Sequence, residues 1–155
     1  MFSIQFDPTS KLPAELTSEI PDASSKFVKG FIDFGTNRKE WFISPLHLWS
    51  VQDYEKHWRE ALKRMVRGQD RSALIVSLGT IDPDDYVNWW PMWRLGETVR
   101  FQEHLLFLSE LEQPFELSSP YIHVGEYYNE AGEDRPLRFS EWEVPVSDMA
   151  AFLDT

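Results

Sequence analysis

Two segments in the second half of the chain set carboxylates directly beside aromatic rings. Asp82, Asp84 and Asp85 lead into a run holding Trp89 and Trp90, and Glu126, Tyr127 and Tyr128 lead into Glu130, Glu133 and Asp134. The chemistry of such a mixture is recognition: carboxylates attract and pair with Lys and Arg, while a ring that fills a pocket supplies the anchor. Adjacent strand residues point to opposite faces, so one residue of each aromatic pair must face away from whatever the other packs on. If a single layer of helix covers the sheet, one indole of Trp89 and Trp90 stays exposed beside the aspartates. If both faces are covered, neither does. These eleven residues, from Asp82 to Asp134, form the expected partner-binding set. Stacking of the same rings on a sugar or other flat ligand, as in a small-ligand or carbohydrate-binding module, is the alternative.

Residue types suited to catalysis are present without the spacing that catalysis needs. His57, in Glu55-Lys56-His57-Trp58-Arg59, is not part of a two-histidine zinc motif, and His47, His104 and His123 lie on other elements. There is no cysteine, no Gly-x-Ser-x-Gly elbow and no clustering of the seven glycines into a phosphate loop. The carboxylate pairs Asp84-Asp85 and Glu133-Asp134 fall in loops expected to be wet, where no desolvation raises a pKa for acid catalysis. The reading is of a protein that is no enzyme and has no cofactor or metal.

Charge is distributed unevenly. Residues 1–78 hold 10 acidic and 11 basic residues, whereas 79–155 hold 16 acidic and only 4 basic, giving the net charge of −11. That balance argues against direct binding of nucleic acid or an anionic membrane, both of which need clustered Lys and Arg. It favours rapid, salt-sensitive attraction to a basic protein. With 155 residues, 42% of them hydrophobic, the chain fits one domain spanning 1–155. The start lacks the pattern of a signal peptide and no apolar run approaches the ~18 residues of a membrane span, so a cytoplasmic location is expected.

The elements that position these residues begin with a short strand at Ser3 to Asp7 and an irregular stretch with a helical turn over Ala14 to Ile20. Lys26 to Phe34 and Trp41 to Ile43 read as a hairpin around Gly35-Thr36-Asn37-Arg38, in which Gly30 implies a bulge or a close neighbour. Ser50 and Asp53 start a helix whose Tyr54, Trp58, Ala61, Leu62, Met65 and Val66 form one apolar stripe, with Glu55/Arg59 and Glu60/Arg64 pairs opposite and Gly68 as the stop. Ser72 to Leu78 reads as a central strand. The Tyr86 to Leu95 strand is interrupted by Pro91, implying an edge or a bulge, and turns through Gly96-Glu97 into a long strand from Val99 to Phe107. Tyr121 to Tyr128 and Leu137 to Val144 read as strands around an acidic loop, and Ser147 and Asp148 cap a last short helix. Trp41, Trp49 and Trp58 are expected in the core. The fold class is α+β: a mostly antiparallel sheet of about six to seven strands packed on one long amphipathic helix, with a short C-terminal helix.

Several stretches together resemble a known family. Ile32-Asp33-Phe34-Gly35, Trp41, Ser44-Pro45-Leu46, Leu48-Trp49-Ser50, Tyr54, Trp58, Ser72-Ala73-Leu74-Ile75, Gln102-Glu103-His104-Leu105-Leu106 and Ser140-Glu141-Trp142 are similar to immunity proteins of bacterial contact-dependent growth inhibition systems, the CdiI type. The likeness runs from Phe27 to the C-terminus. It implies a single immunity-type domain, a cytoplasmic protein that binds and neutralises the C-terminal toxin domain of a neighbouring cell's effector, commonly a nuclease, as a monomer in a 1:1 complex. The matching residues are scaffold, so the resemblance carries no interface residues across. A nuclease holds nucleic acid in a basic groove, which an acidic protein surface complements.

Overall fold

The computed structural model describes the chain except residues 21, 36 and 129–138, with the backbone alone at 24 and 25. Its strands fall into two antiparallel sheets. The first is three-stranded, in the order β1 (Ser3–Phe6), β2 (Phe27–Asp33), β3 (Lys39–Pro45). The second runs β4 (Arg71–Ser77), β5 (Tyr86–Leu95), β6 (Thr98–Gln102), β8 (Glu141–Pro145), with β7 (His104–Phe107) pairing the first half of β5. The helices are α1 (Ala14–Glu19), α2 (Ala23–Lys26), α3 (Val51–Val66) and α4 (Val146–Leu153). No helix among the described residues is long and apolar enough to cross a membrane. The α+β class and the antiparallel pairing stand as expected, with the strands shared between two sheets.

Local chemistry accounts for the long helix. Asp53 N–H donates to Ser50 Oγ at 3.1 Å and Ser50 N–H donates back to Asp53 Oδ2 at 2.9 Å, closing a capping box. The Ser50 N–H donated to it holds the Asp53 carboxyl below its usual range. At the other end Gly68 adopts φ +97°, and Gly68 N–H and Gln69 N–H donate to the Met65 and Arg64 carbonyls, the paired bonds of a Schellman stop. The stripe of Tyr54, Trp58, Ala61, Leu62 and Met65 is buried.

What this helix covers is the outer edge of β4. Ile75 N–H donates to His57 Nε2 at 2.8 Å and Ile75 C=O accepts from Trp58 Nε1 at 2.8 Å. Leu78 N–H donates to the Tyr54 hydroxyl, which donates to the Pro45 carbonyl at 2.9 Å, and Ser72 Oγ donates to Ala61 C=O. Burial pushes the Tyr54 phenol up to about 12. A strand edge is a row of unmet polar groups that invites pairing with another chain, and α3 satisfies this one with side chains. β4, expected as a central strand, is therefore an edge strand in its sheet, and its Ala73–Val76 run is apolar because packing closes its faces and a helix closes its edge.

The two sheets meet through rings. Phe2 stacks on Phe101 (centroids 5.6 Å), and Phe34 packs on Trp90 (5.3 Å) and Trp142 (5.4 Å). Gly30 is where the first sheet admits a ring: a Cβ there would lie 2.6 Å from the Phe42 ring and 2.9 Å from Gln5 O, so the close-neighbour reading holds. Gly30→Ala should therefore lower stability by about 1–3 kcal/mol, the range for overpacking. Chemical denaturation of the two proteins side by side would measure it.

Several local expectations are corrected. Val99 to Phe107 is broken at Glu103, whose N–H donates to Ser140 C=O, so β6 pairs β8 and β7 pairs β5. Pro91 sits inside a central strand, at the gap between the β5–β6 and β5–β7 ladders. With Ile75 N–H and C=O turned to α3, alternation along the ladder directs the Pro91 nitrogen away from β4 and toward that gap, so its missing N–H takes no bond from the β4–β5 ladder. The residues 120–123 form a 3-10 turn rather than a strand, and the last strand begins at Glu141. α4 starts at Val146 after Pro145, with Ser147 and Asp148 inside its first turn. Arg59 turns from Glu55 to the Leu153 and Thr155 carbonyls, and Arg64 from Glu60 to the face of Tyr121. The Gly96-Glu97 turn is as expected, with Gly96 at φ +68° between Leu95 and Thr98.

Candidate partner-binding site

The loop from β4 to β5 is an ordered carboxylate turn. The Thr80 hydroxyl donates to the Asp85 carboxylate and accepts from Asp82 N–H at 3.1 Å; Asp84 N–H donates to Asp82 Oδ1 at 3.0 Å. Asp85 N–H donates to Asp82 C=O at 2.9 Å, and the Asp85 carbonyl accepts from Leu108 N–H at 3.1 Å, tying the loop to the end of β7. Asp82 and Asp84 are exposed and Asp85 is half-buried. Charges fixed in this way lose little conformational freedom when a partner docks. Beside them Tyr86 is 55% exposed, with its ring 5.8 Å from that of exposed Phe107.

Trp89 and Trp90 do not supply the anchor. They are 4% and 1% exposed, so the expectation of one protruding indole is corrected. Its premise, a sheet covered on one side, fails. The Trp90 face is covered by Phe34 of the first sheet. On the opposite face, marked by Trp93, the Trp93 Nε1 donates to Gly125 C=O at 2.8 Å and its ring meets Tyr127 at 5.5 Å. Trp41, expected in the core, is instead 44% exposed on the outer side of β3.

The second acidic segment is built differently. Glu126 and Tyr128 are exposed, while Tyr127 is half-buried and donates to Glu141 Oε1 at 3.1 Å. Fully buried Gln102 donates through Nε2 to Tyr128 C=O (2.9 Å) and to Glu141 Oε1 (2.8 Å), and its Oε1 meets His104 Nε2 at 2.9 Å. Arg100 pairs with Glu141 and Glu143. This network fastens the 125–128 segment onto β6 and β8. Glu130, Glu133 and Asp134 lie outside the described residues. The Gly125 contact with Trp93 sets Glu126 toward the far end of β5, on the order of 25 Å from Asp85 at the ~3.3 Å rise of a strand. Among the described residues, Glu126 and the Asp82–Asp85 turn are therefore separate patches.

The histidines are dispersed. His47 packs on Phe27, His57 on β4, His104 on Gln102, and His123 accepts from Glu116 N–H. Among the described residues no group of three or more His, Asp and Glu is placed to hold a metal ion. Burial pushes Glu103 up, with the Glu40 carboxylate adding to it. Among the exposed apolar side chains that sequence reading missed are Trp41, Tyr86, Leu105 and Phe107. The available signal was the tract His104 to Phe107, apolar at every position but the first, which a strand covered on one side has no need of.

A model of the CdiI N-terminal domain family matches residues 44–152. A search of curated proteins finds no match. Among solved structures, the chain is similar to a chain of the CdiA-CT/CdiI toxin and immunity complex from Enterobacter cloacae, with 21% identity over 99% of this chain and 97% of that one and a TM-score of 0.71. At that identity the likeness establishes the fold.

Proposed function

Because the chain belongs to the CdiI N-terminal domain family, we propose that it is an immunity protein that binds and neutralises a cognate toxin domain in the cytoplasm, by occlusion and without catalysis. The Enterobacter cloacae structure that shares its fold is a toxin and immunity complex. The observation that carries the reading is the Asp82–Asp85 turn, ordered and exposed beside Tyr86, in a half-chain with 16 acidic and 4 basic residues. Carboxylates so placed complement the basic groove of a nuclease-like toxin, occupying positions that phosphates would take. Tyr86 and Phe107 take the anchoring role expected of Trp89 and Trp90, and Glu126 and Tyr128 form a second patch.

Asp84 makes no hydrogen bond through its carboxylate among the described residues, so Asp84→Lys tests charge with little disturbance of the loop. Combined with Asp85→Lys it should slow association with the cognate toxin domain by about tenfold at low salt, with a smaller change in dissociation. Stopped-flow or surface-based kinetics across ionic strengths would read this. Unchanged kinetics would remove the loop from the interface, and affinity indifferent to salt would favour a neutral ligand instead.

A further inference from the structure

We propose that the cleft between the outer side of β3 and the first residues of β5, which follow the Asp82–Asp85 turn, receives one arginine side chain of the partner; this deepens the toxin-binding reading and rests on it. The cleft has a volume of about 430 Å³, between Trp41 and Ile43 of β3 on one side and Tyr86, Asn88 and Leu105 on the other. Register puts Tyr86 opposite Phe107 and Asn88 opposite Leu105, so these four side chains share one face of the sheet. That is the face whose continuation, Trp90, is covered by Phe34. At this end the cover stops, leaving Trp41 44%, Tyr86 55% and Leu105 51% exposed. Large apolar side chains gathered in a concavity mark a docking site rather than ordinary surface.

The occupant is defined by what the walls lack. Asn88 Oδ1 is buried and has no hydrogen-bond partner among the described residues. A buried acceptor left unmet is costly, and a donor brought by a ligand relieves that cost. The walls carry aromatic rings, and the Asp82–Asp85 turn, with its three carboxylates, leads directly into Tyr86 of one wall. A guanidinium meets all three conditions, because it donates in its plane, stacks on ring faces and is drawn by negative charge. Lys29 Nζ, 4.5 Å from the Trp41 ring centroid, shows a cation held on a face of that indole. It also leaves Tyr86 as the ring for the incoming group. The Lys29 charge opposes entry, and Asp82, Asp84 and Asp85 outnumber it.

The test uses the full chain, 15N-labelled and titrated with N-acetylarginine amide, with N-acetylnorleucine amide as the uncharged control. Saturable shifts at the Trp41 indole N–H and the Asn88 side-chain amide, with arginine only and lost in Asn88→Leu, are expected. No saturable shift, or an equal response to norleucine, overturns the proposal. With the cognate toxin domain, Trp41→Ala and Asn88→Leu should each weaken binding by about 30-fold, as hot-spot side chains do, provided thermal melts confirm both variants are folded. If the toxin binds wild type and ignores both changes, the cleft is refuted and the immunity reading stands. If the toxin does not bind wild type at all, the immunity reading fails, and the arginine titration decides the cleft by itself.

Discussion

Trp58→Ala should cost about 4 kcal/mol of unfolding free energy, a large fraction of the stability of a small domain. The indole is 2% exposed, its ring lies 4.7 Å from Phe6 and 5.6 Å from Phe42, and its Nε1 is the donor that meets Ile75 C=O at 2.8 Å. Removing it leaves a cavity where α3 meets the first sheet and strands a carbonyl on the edge of β4. Trp58→Phe separates the two effects. It keeps most of the packing and should lose only the hydrogen bond and its unmet acceptor, about 1–2 kcal/mol. Urea denaturation of the three proteins decides it, and an alanine variant within about 1 kcal/mol of wild type would show that α3 is not what secures that edge. Because the β4 strand leads directly into the Asp82–Asp85 turn, the alanine variant should also lose order in the acidic loop.

Stability should fall on acidification through His57. Burial holds its pKa at about 3, against 6.5 for the free side chain, and Nε2 is committed as the acceptor for Ile75 N–H. The folded protein therefore keeps the ring neutral while the unfolded chain takes up a proton below pH 6.5. The stabilisation is fully present above the unfolded pKa and is lost progressively as pH falls from about 6.5 toward 3. At about 1.36 kcal/mol per unit this amounts to about 3 kcal/mol between neutrality and ~pH 4.5. His57→Gln removes the titration. Carboxylates contribute to acid unfolding in both proteins, so the difference between their stability profiles isolates the histidine. Parallel profiles would mean that the ring protonates within the fold.

Features confined to one element were legible in the sequence. The Ser50/Asp53 capping box, the apolar stripe of α3, the Gly68 stop and the Gly96 turn each depend on contacts within a few residues, where backbone geometry leaves a small set of solutions. The acidic turn before β5 was legible for the same reason, since Asp and Pro dictate a loop. The Trp89 and Trp90 assignment failed because parity along a strand states which residues share a face and is silent on what covers it. Coverage came from a second sheet on one side and the 120–128 segment on the other, neither of which has a local signature.

By itself, then, the sequence determined the capping box, apolar stripe and glycine stop of α3, the Gly96 turn, the lopsided charge of this protein, and the family it resembles. Tertiary structure alone decided that the strands divide into two sheets, that α3 seals a strand edge through Tyr54, His57 and Trp58, and that Trp41 and Tyr86 rather than Trp89 and Trp90 reach the surface. The physical reason is range. Hydrogen bonds between near neighbours are written in consecutive residues, whereas exposure is set by which distant segments compete to bury the same apolar face.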